Sequence, residues 1–115
     1  LWEGHSIRGV VPFLFDGRLP DLNLGTAAGS SCSPSLQSRL ESVLASQADY
    51  DFVVNGRFKG GYITREYGDP ARGVDAVQLE ISQRIYMDED SFEWDEEKAL
   101  RAQGILRALL QQMLA

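Results

Sequence analysis

Val74-Asp75-Ala76-Val77-Gln78-Leu79-Glu80-Ile81-Ser82 is the stretch on which the fold turns. Val77, Leu79 and Ile81 alternate with Gln78, Glu80 and Ser82, and a period of two residues belongs to a strand with one apolar and one polar face. This spacing predicts a strand over 74–82 with Glu80 on the polar side. Upstream, Asp51-Phe52-Val53-Val54-Asn55 is a short apolar run between polar ends, the pattern of a buried strand that delivers its last residues to a loop. Downstream the period changes. Ala99, Leu100, Ile105, Leu106, Leu109, Leu110 and Met113 form a helical stripe starting near Asp95, and Asp95, Glu96 and Glu97 suit the positive end of that helix. A second helix starts at Ser33-Pro34, with a capping hydroxyl followed by a proline at the first helical position. It carries Leu36, Leu40, Val43 and Leu44 on one face and is predicted to end near Gln47.

Further out the pattern is more broken. Leu1 to Ile7 reads as the end of a strand, with its beginning expected upstream. From Arg8 to Ser33 the punctuation by Pro12, Gly17, Pro20, Gly25 and Gly29 predicts a long loop holding one short strand around Leu22–Leu24. Val10, Val11, Phe13, Leu14 and Phe15 argue against disorder there, because a disordered loop has no reason to carry so much apolar surface. Tyr62–Tyr67 fits a short helix or a turn, closed by Gly68-Asp69-Pro70. The order strand, helix, strand, strand, helix predicts an α/β layer fold in a single domain over 1–115.

Seventeen acids against 11 Lys plus Arg leave a net charge of −6, so the chain has no electrostatic footprint for nucleic acid or an anionic membrane, and neither partner is expected. No apolar run approaches the length of a bilayer span. The single cysteine, Cys32, cannot form an internal disulfide, and without a signal-like stretch a reducing, cytoplasmic setting is expected. The chain opens on Leu1 rather than Met, so a piece of a longer protein is expected.

Four features carry possible chemistry. His5, in His5-Ser6-Ile7-Arg8, stands where a strand gives way to a loop, the place where open α/β sheets collect ligands; alone, it equally fits a structural histidine. Asn55-Gly56-Arg57-Phe58-Lys59-Gly60-Gly61-Tyr62-Ile63-Thr64-Arg65 packs three cations and three glycines into one loop of an acidic chain. Glycines let backbone approach a ligand, and the arginine fork matches a carboxylate. The competing account is that Arg57, Lys59 and Arg65 pair with surplus surface acids. Glu80 is either a general base or a carboxylate facing solvent on a half-exposed sheet, and the second is favoured by the residues alone. Cys32 has only His5 as a conceivable base, and a buried inert thiol is the better fit.

Taken together, these stretches resemble the N-formylglutamate amidohydrolases over almost the whole chain. The matching wording is His5-Ser6-Ile7-Arg8, Leu14-Phe15-Asp16-Gly17, Leu19-Pro20, Asn23-Leu24-Gly25-Thr26, Ser31-Cys32, the run Asn55 to Arg65, Tyr67-Gly68 and Gln78-Leu79-Glu80. At the positions two before and one before the histidine, where the family usually has an acidic and a small residue, this chain has Glu3 and Gly4. The resemblance implies a three-layer-like mixed sheet flanked by helices, part of a fold like that of the zinc carboxypeptidases and aspartoacylases. It implies a divalent metal, zinc by this analogy, held by His5 and by ligands upstream of this chain, with Glu80 as general base. Arg57 and Arg65 become candidates for binding the carboxylates of an N-acyl amino acid, with Asn55, Arg8, Lys59 and Tyr62 as weaker ones.

A catalytic zinc site takes three protein ligands and keeps one position open. With one histidine and one cysteine the chain cannot build such a site unless several acids converge on His5, so it is expected to be inactive or nearly so alone. An edge or apolar face left uncovered is expected to favour self-association. Besides N-formylglutamate hydrolysis, two alternatives follow: an amidohydrolase for another N-acyl or peptide-like amide, and a carboxylate-binding module without catalysis.

Overall fold

The computed structural model describes residues 1–115. Four strands, β1 (Trp2–Ile7), β2 (Leu22–Gly25), β3 (Phe52–Val54) and β4 (Val77–Ser82), form one sheet in the order β1-β4-β2-β3. β1 runs parallel to β4 and β2 parallel to β3, while β2 and β4 are antiparallel, so the sheet is mixed. The helices are α1 (Pro34–Ala45), α2 (Tyr62–Tyr67) and α3 (Glu96–Leu114), with short 3-10 turns at Pro70–Arg72 and Gln83–Ile85. No helix is long and apolar enough to cross a membrane.

The caps work as their residue types dictate. Ser33 is extended and its hydroxyl accepts from the Leu36 amide, with Pro34 opening α1. The Asp95 carboxylate accepts from the Lys98 amide at 3.0 Å, and Glu96 and Glu97 occupy the first turn of α3. Both helices cover one face of the sheet. Leu36, Leu40 and Leu44 of α1 and Ala102 and Leu109 of α3 join Leu22, Leu24, Val77 and Leu79 in a single buried core. Trp2, Val54 and Ile81 pack against it from the same side. Each fully buried leucine contributes about 1.5–3 kcal/mol, so this face supplies most of the cohesion.

Two strand expectations exchange places in the sheet. The short strand expected inside the long loop is β2, all four residues of which are buried at the centre of the sheet. The run over 51–55, expected as a buried strand, is instead an edge strand with Phe52 37% exposed. An apolar run says that a segment has a hydrophobic partner, not how many strands flank it. The loop before β2 is held over the polar face. Arg57 Nε donates to the Leu14 carbonyl at 2.8 Å and Phe15 meets Phe58 edge-on, with ring centroids 6.2 Å apart.

β1 is the other edge, and its outer side has no neighbouring strand. Beside it, between the sheet and α3, lies an open groove of about 470 Å³ lined by Trp2, Ile81, Tyr86, Trp94 and Leu106 among others, with His5 at its border. At the far end of the sheet, Gly25 meets the glycine-rich segment. A Cβ added there would lie 2.5 Å from the Lys59 carbonyl carbon and 2.7 Å from the Gly60 nitrogen, both backbone. Gly25→Ala is expected to lower unfolding stability by about 3 kcal/mol in urea titration, as overpacking against immovable atoms does. Gly104→Ala, where nothing lies within 4 Å of the new methyl in the exposed middle of α3, is expected to raise it by about 0.5–1 kcal/mol.

Candidate active site on the polar face of the sheet

The face away from α1 and α3 carries the polar half of the alternation. His5 on β1, Glu80 on β4 and Asn23 on β2 are register partners in one row across the sheet, with Glu3 and Gln78 paired in the next row. Residues opposite one another on paired strands project to the same side, so these polar side chains converge. The face is not the solvated surface that the residues alone favoured. Glu80 is only 7% exposed, and the segments before β2 and after β3 dock on its strand neighbours. Gln78 accepts from the Gly61 amide at 2.7 Å, and the Ser82 hydroxyl donates to the Pro20 carbonyl at 3.1 Å.

Two carboxylates flank His5 and are pulled in opposite directions. Burial raises the Glu80 carboxyl above its ordinary value, opposed only in part by the charge of His5. Burial also pushes Glu3 up, but hydrogen bonds from His5 and Thr64, together with the charge of His5, outweigh it and hold Glu3 below the usual carboxylate range. His5 Nε2 lies 3.1 Å from Glu3 Oε1, and the Thr64 hydroxyl donates to Glu3 Oε2 at 2.9 Å. Two carboxylates beside one imidazole are thereby shifted in opposite directions by their different surroundings.

The glycine-rich segment leaves its cations available. None of Arg57, Lys59 and Arg65 forms an ion pair with a carboxylate, contrary to the surface-pairing account. Arg57 lies over the Phe58 ring at 5.2 Å, and Arg65 donates to the Gly60 carbonyl at 2.9 Å; both side chains are exposed. Tyr62 is exposed at the start of α2. Asn55 is engaged by the scaffold. In the left-handed region at φ 54, its Oδ1 accepts from the Thr26 amide at 2.8 Å and the Ala28 amide at 3.3 Å, and its Nδ2 donates to the Thr26 hydroxyl. Arg8 stands apart. It follows the C-terminal end of β1, binds the Glu89 carbonyl and lies 3.4 Å from Asp90, whereas the glycine-rich segment docks at Gln78, near the other end of β4.

As a metal donor, His5 offers Nδ1, since Nε2 faces Glu3. No group of three or more His, Cys, Asp or Glu side chains is arranged to hold a metal ion. The donor set thus fits zinc as one imidazole ligand and not as a whole site. Cys32 lies in the core on the helix side of the sheet, away from His5, and burial with the nearby Asp75 charge pushes its thiol up to about 11. It is the inert thiol and not half of a nucleophilic pair.

Two residues gain weight from the fold. Asn23 is 1% exposed, donates to the Pro20 and Glu80 carbonyls, and keeps its Oδ1 buried without a partner. Thr64 is fully buried. Both lie in stretches that carry the family resemblance, yet their local sequence gives neither a role, because their partners Glu80 and Glu3 are distant in the chain.

The class that the structure defines is a mixed α/β sheet with an imidazole, two carboxylates and a cation-bearing glycine-rich loop on one face. Comparison with known proteins places it in a family. Residues 1–87 match the family model for N-formylglutamate amidohydrolase. The chain is 55% identical over 116 aligned positions to an N-formylglutamate deformylase of Pseudomonas aeruginosa and 54% identical to one of Pseudomonas putida. It is covered completely in both cases but spans only 44% and 43% of those relatives. The crystal structure of an N-formylglutamate amidohydrolase from Ralstonia eutropha JMP134 superposes with a TM-score of 0.77 at 27% identity, covering 98% of this chain and 41% of that one. The chain belongs to the N-formylglutamate amidohydrolase family.

Two outcomes follow from the electrostatics. The folded Glu80 carboxyl titrates above the ordinary 4.5 of the unfolded chain. Below both values each state is protonated and Glu80 contributes nothing; as pH rises between them the native state holds a proton that the unfolded chain has released, and stability falls. Glu80→Gln is therefore expected to raise the thermal midpoint at pH 7, with the gain vanishing towards pH 4. Cys32 is expected to react with a thiol reagent at pH 8 at least about a hundredfold more slowly in the native chain than in urea, since the thiolate is the nucleophile.

Proposed function

We propose that this chain carries the proton-transfer and substrate-orienting part of a site that hydrolyses N-formylglutamate to formate and glutamate. The observation that carries this reading is the pairing of His5 with Glu80 on adjacent strands, beside a glycine-rich loop whose cations have no carboxylate of their own. The names of the relatives support the substrate class. Arg57 and Arg65 orient the carboxylates of the substrate, and Asn55 holds their loop in place. Glu80, kept in a poorly hydrated setting, takes a proton from the attacking water and returns it to the departing amine. His5 would be one ligand of a divalent metal, which would supply Lewis-acid activation of water and of the formyl carbonyl.

The remaining donors come from polypeptide that the longer relatives possess, completing the site beside β1, whose outer edge is open and which bears His5. The full fold proposed is that of the zinc carboxypeptidases and aspartoacylases, as the sequence resemblance implies. A carboxylate-binding module without turnover is the second reading, favoured by one observation: the ligand set of this chain is incomplete.

Zinc content and N-formyl-L-glutamate hydrolysis, measured on this chain beside a version extended through the missing family segment, separate the two. Metal and turnover are expected only in the longer protein. There, Glu80→Gln is expected to lower kcat by about a hundredfold to ten-thousandfold, the usual worth of a general base. Retained turnover would remove Glu80 from the mechanism, and binding without metal or turnover would establish the module.

A further inference from the structure

Thr64 is the one buried residue of α2, set between the exposed Ile63 and Arg65. A hydroxyl taken wholly from water needs a partner, and this one donates to Glu3 Oε2 at 2.9 Å, across 61 residues of sequence. The other oxygen of Glu3 faces His5 Nε2 at 3.1 Å, so the carboxylate bridges the helix and the imidazole. Of the three, only His5 is substantially exposed, its side chain at 47% against 16% for Glu3. The fixed end of the chain is therefore Thr64.

Gly60 accounts for that fixity. Its φ of +120 suits glycine, and a Cβ there would lie 3.0 Å from the Thr64 methyl, so the threonine packs directly on the glycine backbone. The Gly60 carbonyl accepts from Arg65 Nη1 at 2.9 Å. One glycine is thus in contact with the side chain that leads to His5 and with the guanidinium that follows it in sequence.

We propose that Thr64 is a positioning residue: its hydroxyl holds Glu3, Glu3 holds the His5 ring with Nε2 as donor and Nδ1 presented outward, and the same turn of α2 sets Arg65. The significance of the coupling rests on the deformylase reading, in which His5 is on the metal side and Arg65 on the carboxylate side of one substrate. The relay itself is a property of this chain and is measured without metal or substrate.

His5 is the only histidine, so its ring ¹⁵N signals are unambiguous. At pH 9 the parent chain is expected to favour the Nε2–H tautomer beyond an unrestrained histidine. Thr64→Val, which removes the hydroxyl at nearly constant shape, is expected to lower the tautomer ratio by about three- to tenfold, a part of the worth of one hydrogen bond to a charged group, since Thr64 acts on His5 only through Glu3. Thr64→Ser, which keeps the hydroxyl, is expected to preserve it. A parent-like ratio in folded Thr64→Val overturns the proposal, as does an equal loss in Thr64→Ser, which would assign the effect to methyl packing. If Thr64→Val does not fold, Glu3→Ala reads the link from its other end: the same loss supports the relay and an unchanged ratio refutes it. Absence of turnover in the extended protein would remove the deformylase reading and leave these ratios as they are, whereas an unmoved ratio would remove the relay alone.

Discussion

The register of β4 between β1 and β2 is the constraint on which everything else depends. In that register Leu79 faces Leu24 and the helices, while Glu80 faces His5 on one side and Asn23 on the other. A slip of one residue would turn the carboxylate into a core of leucines and expose Leu79 on the polar face. The core therefore fixes the site: burial of Leu22, Leu24, Val77 and Leu79 under α1 and α3 selects the one alignment in which imidazole and carboxylate are neighbours. The mixed topology matters as well. β1 joins β4 in parallel although they are separated by most of the chain, so His5 and Glu80 are neighbours only through tertiary pairing.

Features governed by local periodicity or local chemistry were legible in the sequence. The alternation at Val77 to Ser82 gave the strand and the face of Glu80, and the Ser33-Pro34 and Asp95 caps gave the starts of α1 and α3, because each needs only a few adjacent residues. What could not be read was the number of neighbours. Leu22-Asn23-Leu24-Gly25, four residues in a Pro- and Gly-rich loop, is central, whereas Phe52-Val53-Val54 is an edge. The first is too short for its period to register, and the second is apolar because one face and one edge are covered, which is enough to mimic full burial. The same limit hid the surroundings of Glu80. Its polar side was correctly placed, but the loops that roof it come from residues 9–20 and 55–67, and only tertiary structure brings them there.

The site residues divide along the same line. His5, Glu80, Arg57 and Arg65 belong to recognisable wording and to residue types suited to the chemistry. Asn55 belongs to the same wording, yet its three hydrogen bonds tie the exit of β3 to the 26–28 turn. A left-handed φ at that position suits asparagine, whose short side chain tolerates the region, so its place in the motif has a backbone reason independent of any ligand. Arg8, next to the histidine in sequence, turns to Glu89 and Asp90. Proximity in a motif thus does not guarantee proximity in a site.

Opposed perturbation of two similar carboxylates follows from what each is given to bond. Glu3 and Glu80 are both partly withdrawn from water, and both are near His5. Glu3 meets His5 at one oxygen and the Thr64 hydroxyl at the other, and these contacts together with the charge of His5 outweigh the cost of its burial. Glu80 has the charge of His5 to offset its burial and no comparable set of donors, so the desolvation cost prevails. The His5 contact weighs most in holding Glu3 down, and the buried Thr64 hydroxyl adds to it from the other oxygen, a partner that Glu80 lacks.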